Sequence, residues 1–499
     1  MTGSTDGNFA GRLVERLGRN ACLIDAATGS TVSADALPWR IAASGTALLS
    51  AGLRPGNRLL IGCTLSIPSA LVYLGAIYAG LVAVPVEERV LTASAKMLLE
   101  AMSAEAVWTE AGVGDGRNCP ENVISLKGDL AAGVTRVIPP TPRMGTDLAS
   151  LMATSGSTGA PRFVMVSHGN LLANTEAIIR SQRLGDDERA MMILPVSYCF
   201  GASLLHTHLY QGGGVVFDRR FMFPDTVLHS TAQYGCTTFA GVPTVYNVLL
   251  RRSNVRRIEM PNLRRFLQAG GALATAKIAD MRKKYPHADF YVMYGQTEAT
   301  ARISCLEPER WEEKQGSVGR PLDNLTVAIV DERGHDVPAG NVGELRAKGS
   351  SVCTAYWNDP EETCRVFSDG WLNTGDLAHQ DEDGYLWIEG RKGAFLKMRG
   401  IRVSFAEVEE RVAAVPGVYE CAALAVEHPE AGEALVLYIV PDRGARLEVE
   451  EIRRHLPAQW ALDSVHAISE LPKNSAGKIV RASLVALGKE HPCCSSTTK

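Results

Sequence analysis

The stretch Thr154-Ser155-Gly156-Ser157-Thr158-Gly159-Ala160-Pro161-Arg162 concentrates hydroxyl side chains, glycines and one cation in a short segment. A triphosphate needs that combination: backbone N–H groups that can come close, O–H donors that can rotate, and positive charge. The segment reads as a phosphate-gripping loop or, taken alone, equally as a Ser/Gly-rich surface hairpin. Residues 147–153 have the pattern of a buried strand and residues 163–167 are short and β-rich, so the loop joins strand to strand. A Walker A loop opens through Gly-Lys-Ser/Thr directly into a helix, and the chain has no such sequence.

Tyr294-Gly295-Gln296-Thr297-Glu298 ends a strand-like run and offers an aromatic face, an amide, a hydroxyl and a carboxylate. Adenine could stack on Tyr294 while Glu298 held Mg2+ against phosphate oxygens; a capping Thr followed by a first-turn Glu gives the same letters. Asp376 closes the run from Asp369 in what reads as a glycine turn, able to accept both hydroxyls of a ribose or simply to close an Asx turn. Arg391 could reach the same sugar or its phosphate. Lys478 follows the turn Asn474-Ser475-Ala476-Gly477, where a lysine is ordinarily only solvated charge.

The elements that must position these residues alternate between helical and strand-like periods up to about residue 318, which predicts α/β architecture with a largely parallel sheet. Short β-like runs at 326–330, 343–347 and 385–388, separated by Gly, Pro and Asp-Gly turns, then predict a small barrel-like subdomain. The basic, glycine-rich stretch Gly390–Gly400 opens a further α/β alternation. It divides the chain into a large domain, residues 1–392, and a small mobile α+β domain, residues 393–499. With 46% hydrophobic residues, 21% charged residues and a formal charge of −4, the chain carries no basic footprint for nucleic acid. The apolar segment 70–86 is interrupted by Gly75, Gly80 and Pro85 and is too short for a bilayer span. The N-terminal residues show no apolar core of a secretory signal, and the 11 cysteines show no metal spacing, so the expectation is free thiols in the cytoplasm.

In chain order, TSGSTGAPR, YGQTE, NTGD, GRKGAFLKMRGIRV and PKNSAGK resemble the core motifs of the acyl-adenylate-forming enzymes. That superfamily includes acyl-CoA synthetases, adenylation domains of nonribosomal peptide synthetases and beetle luciferases. The resemblance implies that a carboxylate attacks the α-phosphate of ATP to give acyl-AMP and pyrophosphate. It implies that Thr154 to Gly159, with Arg162, grip the β- and γ-phosphates, that Glu298 and Thr154 hold Mg2+, and that Thr297 contacts the α-phosphate. Tyr294, Gly295 and Gln296 would border the nucleotide, Asp376 would bind the ribose with Arg391 nearby, and Lys478 would bridge the acyl carboxylate and the α-phosphate. A rotation of the small domain then withdraws Lys478 and brings in the segment around Lys397.

The chain departs from the family in having Arg162-Phe163 where Lys-Gly is usual, and Gly393 at the hinge where Asp or Lys is common. The acid pocket is expected from Tyr198, Phe200 and Gly201, from Phe239 and Gly241, and from Gly270 and Gly271. The Pro195–Gly201 stretch has no acidic residue to meet an ammonium, which disfavours α-amino acids and points to an aromatic, cyclic or otherwise apolar acid. His206 and His208 are expected in the core or on the surface rather than as ligands. The acceptor is CoA, a carrier-protein pantetheine or an amine. A nucleotide-binding relative without turnover and, more remotely, a luciferase-like oxygenase are the competing readings.

Overall fold

The computed structural model describes residues 7–112, 119–154, 162–255, 257–392, 395–398, 401–428, 432–442, 444–473, 479–481 and 483–484. The hydroxyl-rich loop from Ser155 to Pro161, the hinge position Gly393, and Asn474 to Lys478 lie outside the described residues.

Among the described residues the strands gather into four sheets. The largest runs Arg320–Pro321, Ser304–Leu306, Asp289–Tyr294, Arg265–Gln268, Thr238–Gly241, Arg189–Met192, Gly214–Phe217, Cys22–Asp25 and Thr31–Val32. Its centre is parallel and its two margins antiparallel. The second sheet runs Ile124–Lys127, Ala106–Thr109, Arg58–Cys63, Val82–Glu87, Leu148–Thr154 and Arg162–Ser167, parallel until the last pair. The strands Leu148–Thr154 and Arg162–Ser167 fall within a residue of the runs 147–153 and 163–167 read from the sequence.

Two helices show how the core closes. Ile67–Tyr78 is buried on every side except at Pro68, with Ser66 accepting a hydrogen bond from Ser69 N at its start. It crosses Leu37–Ser50 at glycines: a Cβ on Gly75 would lie 2.6 Å from the Cβ of Ser44 and 2.9 Å from Gly45 N. Only glycine permits that backbone approach.

The strands between residues 325 and 391 form a five-stranded antiparallel sheet from Leu325–Val330, Gly343–Gly349, Trp371–Gln380, Phe367–Ser368 and Leu386–Arg391. The small C-terminal domain carries the fourth sheet. Phe395–Met398, Ile401–Ser404, Val418–His428 and Gly432–Pro441 pair antiparallel, and Leu462–Ala467 adds in parallel. No helix among the described residues is long and apolar enough to cross a membrane.

His206 and His208 are both in the core, and His168 joins them. His206 Nε2 lies 3.1 Å from Tyr73 Oη, His208 Nδ1 3.0 Å from Leu204 O, and His168 Nδ1 accepts from Phe9 N at 3.1 Å. Burial lowers the pKa of all three, to about 4 for His168 and His208 and about 3 for His206. In the unfolded chain each takes its proton near 6.5. Below that pH the unfolded state therefore binds more protons, so acid destabilises the fold, by about 1.4 kcal/mol per pH unit for each neutral histidine. Denaturant titrations at pH 7, 6 and 5 should show falling stability, and His206→Phe should flatten the fall by about one proton's slope. Stability that holds or rises on acidification would contradict the neutral burial of these rings.

Candidate nucleotide and acid site

Leu148–Thr154 and Arg162–Ser167 pair antiparallel with Thr154 opposite Arg162, so the hydroxyl-rich loop joins two adjacent strands. Arg162 is not left free beside it. Its Nε lies 3.1 Å from Asp359 Oδ2 and its Nη1 3.4 Å from Glu362 Oε1. Asp359 also caps the helix Pro360–Val366 by accepting from Glu362 N.

The strand Asp289–Tyr294 ends in Gly295, where a Cβ would stand 1.9 Å from the carbonyl oxygen of Ala301. The chain folds back on itself here. Thr297–Ala299 makes one 3₁₀ turn, and Thr300 follows at φ 66°, ψ −56°, with Ala301 N donating to Ala299 O at 2.7 Å. That is a γ-turn with a β-branched residue at its centre, a strained conformation. It is held in place from outside: Thr300 Oγ1 donates to Ser351 O at 2.7 Å, and Cys353 N donates to Glu298 O at 2.9 Å.

Three side chains then converge. Tyr294 Oη donates to Asp376 Oδ2 at 2.5 Å, and Arg391 Nε lies 2.9 Å from Asp376 Oδ1. Asp376 is 5% exposed, whereas Arg391 reaches into solvent. Burial and the neighbouring carboxylate push the Tyr294 hydroxyl far above its usual pKa, and Asp376 raises that of Arg391. Asp376 does not sit in the expected glycine turn. It lies within the strand Trp371–Gln380, opposite Arg391 in the ladder, with Gly375 at φ 72° before it. Antiparallel pairing, rather than a turn, delivers the arginine to the carboxylate.

Glu298 lies on the 3₁₀ turn and accepts from Tyr356 Oη at 2.6 Å. Thr297 Oγ1 donates to Cys199 Sγ at 3.5 Å, a weak bond to sulfur. The donor set suits a hard cation: a half-buried carboxylate on the 3₁₀ turn and the Thr154 hydroxyl at a strand end.

Tyr198 and Phe200 stand at the start of the helix Cys199–Tyr210, with Gly201 in its first turn. A Cβ on Gly270, at φ 90°, would lie 2.8 Å from Tyr198 Oη, and Gln268 Nε2 donates to Gly271 O. Phe239 is fully buried, edge-on to Phe266 at 6.1 Å, on the strand that ends at Gly241.

Lys397 lies on the strand Phe395–Met398, opposite Arg402. Lys473 and Ile479 bridge across the segment that contains Lys478. Lys473 Nζ lies 2.7 Å from Glu420 Oε2, and Glu420 Oε1 accepts from Asn247 Nδ2 at 3.1 Å. Lys277 Nζ donates to Asn247 Oδ1 and Tyr419 O at 2.9 and 2.7 Å, and the Arg251 guanidinium covers the Tyr419 ring at 3.9 Å. The small domain is thus latched onto the large-domain helices Pro243–Arg252 and Thr275–Lys284.

Residues 12–357 match the AMP-binding enzyme family, and residues 407–478 match its C-terminal domain. The chain belongs to the AMP-binding enzymes. It is 30% identical over 473 residues to a feruloyl-CoA synthase from an Amycolatopsis species, covering 91% of this chain and 93% of that one. It is 29% identical over 486 residues to a sulfoacetate–CoA ligase from Cupriavidus necator, covering 93% and 94%. ATP-bound MatB from Rhodopseudomonas palustris superposes with a TM-score of 0.87 at 26% identity, covering 97% of this chain and 99% of that one.

Tyr356, Asp359, Glu362, Asn247 and Glu420 were not signalled by any motif, because each acts on a partner far away in the chain. Removing Glu420's charge should loosen the latch. In Glu420→Gln, amide exchange in the helix Thr275–Lys284 should speed up about 10-fold, the scale on which local opening reports lost contacts. Protection equal to wild type would show that the domains are not held by this network.

Proposed function

We propose that this AMP-binding enzyme activates a carboxylic acid with ATP, forming acyl-AMP and pyrophosphate, and passes the acyl group to the thiol of CoA. The observation that carries the reading is the buried Asp376 carboxylate, presented by Tyr294 and Arg391 on the same wall as Glu298. Asp376 accepts the ribose hydroxyls, the Tyr294 ring stacks on adenine, and Arg391 faces the sugar and its phosphate. Thr297 exchanges its weak bond to Cys199 for an α-phosphate oxygen.

The acid's carboxylate and the α-phosphate are both anions, so the barrier is set by repulsion and by charge building on phosphate oxygens. Glu298 and Thr154 would hold Mg2+, which supplies charge neutralisation at those oxygens. Lys478 would bridge the two anions and orient the attacking carboxylate. Arg162 gives up Asp359 and Glu362 to meet the terminal phosphates, or holds the loop from behind through them. After adenylation the small domain, beginning at residue 393, releases its latch and turns so that the segment of Lys397 faces the thiol.

CoA is favoured over an amine or a carrier protein by the relatives, which are named as CoA ligases, including the feruloyl and sulfoacetate enzymes. An apolar acid skeleton fits Tyr198, Phe200 and the small glycines. An α-amino acid has no acidic residue in Pro195–Gly201 to meet its ammonium.

The test is a full product balance with ATP, CoA and a panel of aromatic, cyclic and aliphatic acids. AMP, pyrophosphate and the acyl-CoA thioester should appear in equal amounts; ADP and phosphate would overturn the reading. Lys478→Ala should slow adenylation by about 10²-fold or more while leaving transfer from synthetic acyl-AMP to CoA largely intact. Equal loss in both steps would contradict the role of Lys478.

A further inference from the structure

Arg302 is the first residue after the γ-turn, and its side chain is 2% exposed. Its guanidinium carbon lies 4.8 Å over the Phe200 ring, and burial raises the pKa of the neighbouring Cys305 thiol and Tyr198 hydroxyl, so neither offers it an anion. Among the described residues it makes no ion pair, and its Nε is buried with no hydrogen-bond partner. The other deep arginine of the same core behaves in the ordinary way: Arg265 Nη1 lies 2.6 Å from Glu188 Oε2. A guanidinium stays charged even when buried, and a buried charge without a counter-ion is costly.

We propose that Arg302 reads a second anionic group, a carboxylate or a sulfonate, on the acid that this site activates. The inference rests on the ligase reading, in which Tyr198 and Phe200 line the acid pocket, and it narrows the substrate class. The substrate keeps an apolar skeleton against Phe200 and carries its second charge to the guanidinium fork, which suits a planar carboxylate or a sulfonate. The same cation repels an ammonium, a second reason why α-amino acids are disfavoured. The strained Thr300 fits this reading, because strain held by neighbours at a turn is a mark of ligand sites. Here the turn steers Arg302 into the wall beside Phe200.

The experiment is acid-dependent exchange of labelled pyrophosphate into ATP, without CoA, on pairs of acids sharing one skeleton: pentanoate and glutarate, hexanoate and adipate, benzoate and phthalate, propionate and sulfopropionate. Wild type should favour the doubly anionic member of at least one pair by about 10- to 100-fold in kcat/KM, the value of a charge-assisted contact. Arg302→Met should reverse that preference, and Arg302→Lys should keep its direction at a lower rate. Without substrate, Arg302→Met should melt no lower than wild type, because it removes an unpaired buried charge. A midpoint several degrees lower would mark Arg302 as a structural prop and overturn the inference. Preference for the singly charged acids throughout would overturn it while leaving the ligase reading intact. Silence with every acid, in protein that still binds ATP, would overturn both.

Discussion

Asp376 is a carboxylate taken almost completely out of water at the seam between the nine-stranded sheet and the antiparallel sheet that follows it. A charge in that position must be paired, and two of its partners come from opposite sides of the seam. Tyr294 is the last residue of a strand in the first sheet, and Arg391 is the ladder partner of Asp376 in the second. The neighbouring bonds cross the same line. Glu298 meets Tyr356 and Cys353, and Thr300 meets Ser351, so the segment 351–356 stitches the strained turn in place. The groups that the proposed function offers to a nucleotide are the groups that hold the seam, so their positions are fixed by the fold itself.

Much of this was legible in the chain. Short strand-like runs were legible: those at 147–153, 326–330 and 343–347 are the strands Leu148–Thr154, Leu325–Val330 and Gly343–Gly349. The motif residues Tyr294, Asp376 and Arg391 were assigned to one site, and they touch. Other features left no local trace. The helix Cys199–Tyr210 opens on Phe200 and Gly201, weak helix formers, so its first turn is held by burial and not by propensity. The helix Phe9–Arg16 is only eight residues long, started by Asn8 accepting from Gly11 N, and tertiary packing decides so short an element. Arg162 meets Asp359 across 197 positions, and Asn247 meets Glu420 across 173; pairings of that range are set by topology and not by neighbours in sequence.

Electrostatics gives the two domains different tasks. In the large domain two charged groups of the candidate site are already paired, Arg162 with two carboxylates and Asp376 with Arg391, so a ligand that meets them must exchange contacts. In the latch, Lys277 is substantially desolvated and its pKa is lowered by burial, with Glu420 acting in the opposite sense. Such a contact is strong enough to define one docked arrangement and polar enough to be released into water. The rotation between half-reactions that the proposed function includes requires a contact of that kind.

The central claim is that the Tyr294–Asp376–Arg391 junction is the nucleotide seat. Its most direct test is the affinity of wild type and Asp376→Asn for ATP with Mg2+, measured by titration calorimetry in the absence of acid and CoA, with folding checked by thermal unfolding. The account predicts that the variant stays folded, through a retained Tyr294 contact, and binds about 10-fold more weakly or worse, the cost of neutralising a charged acceptor. An affinity within twofold of wild type would mean that the nucleotide is held elsewhere and that the junction serves the fold alone.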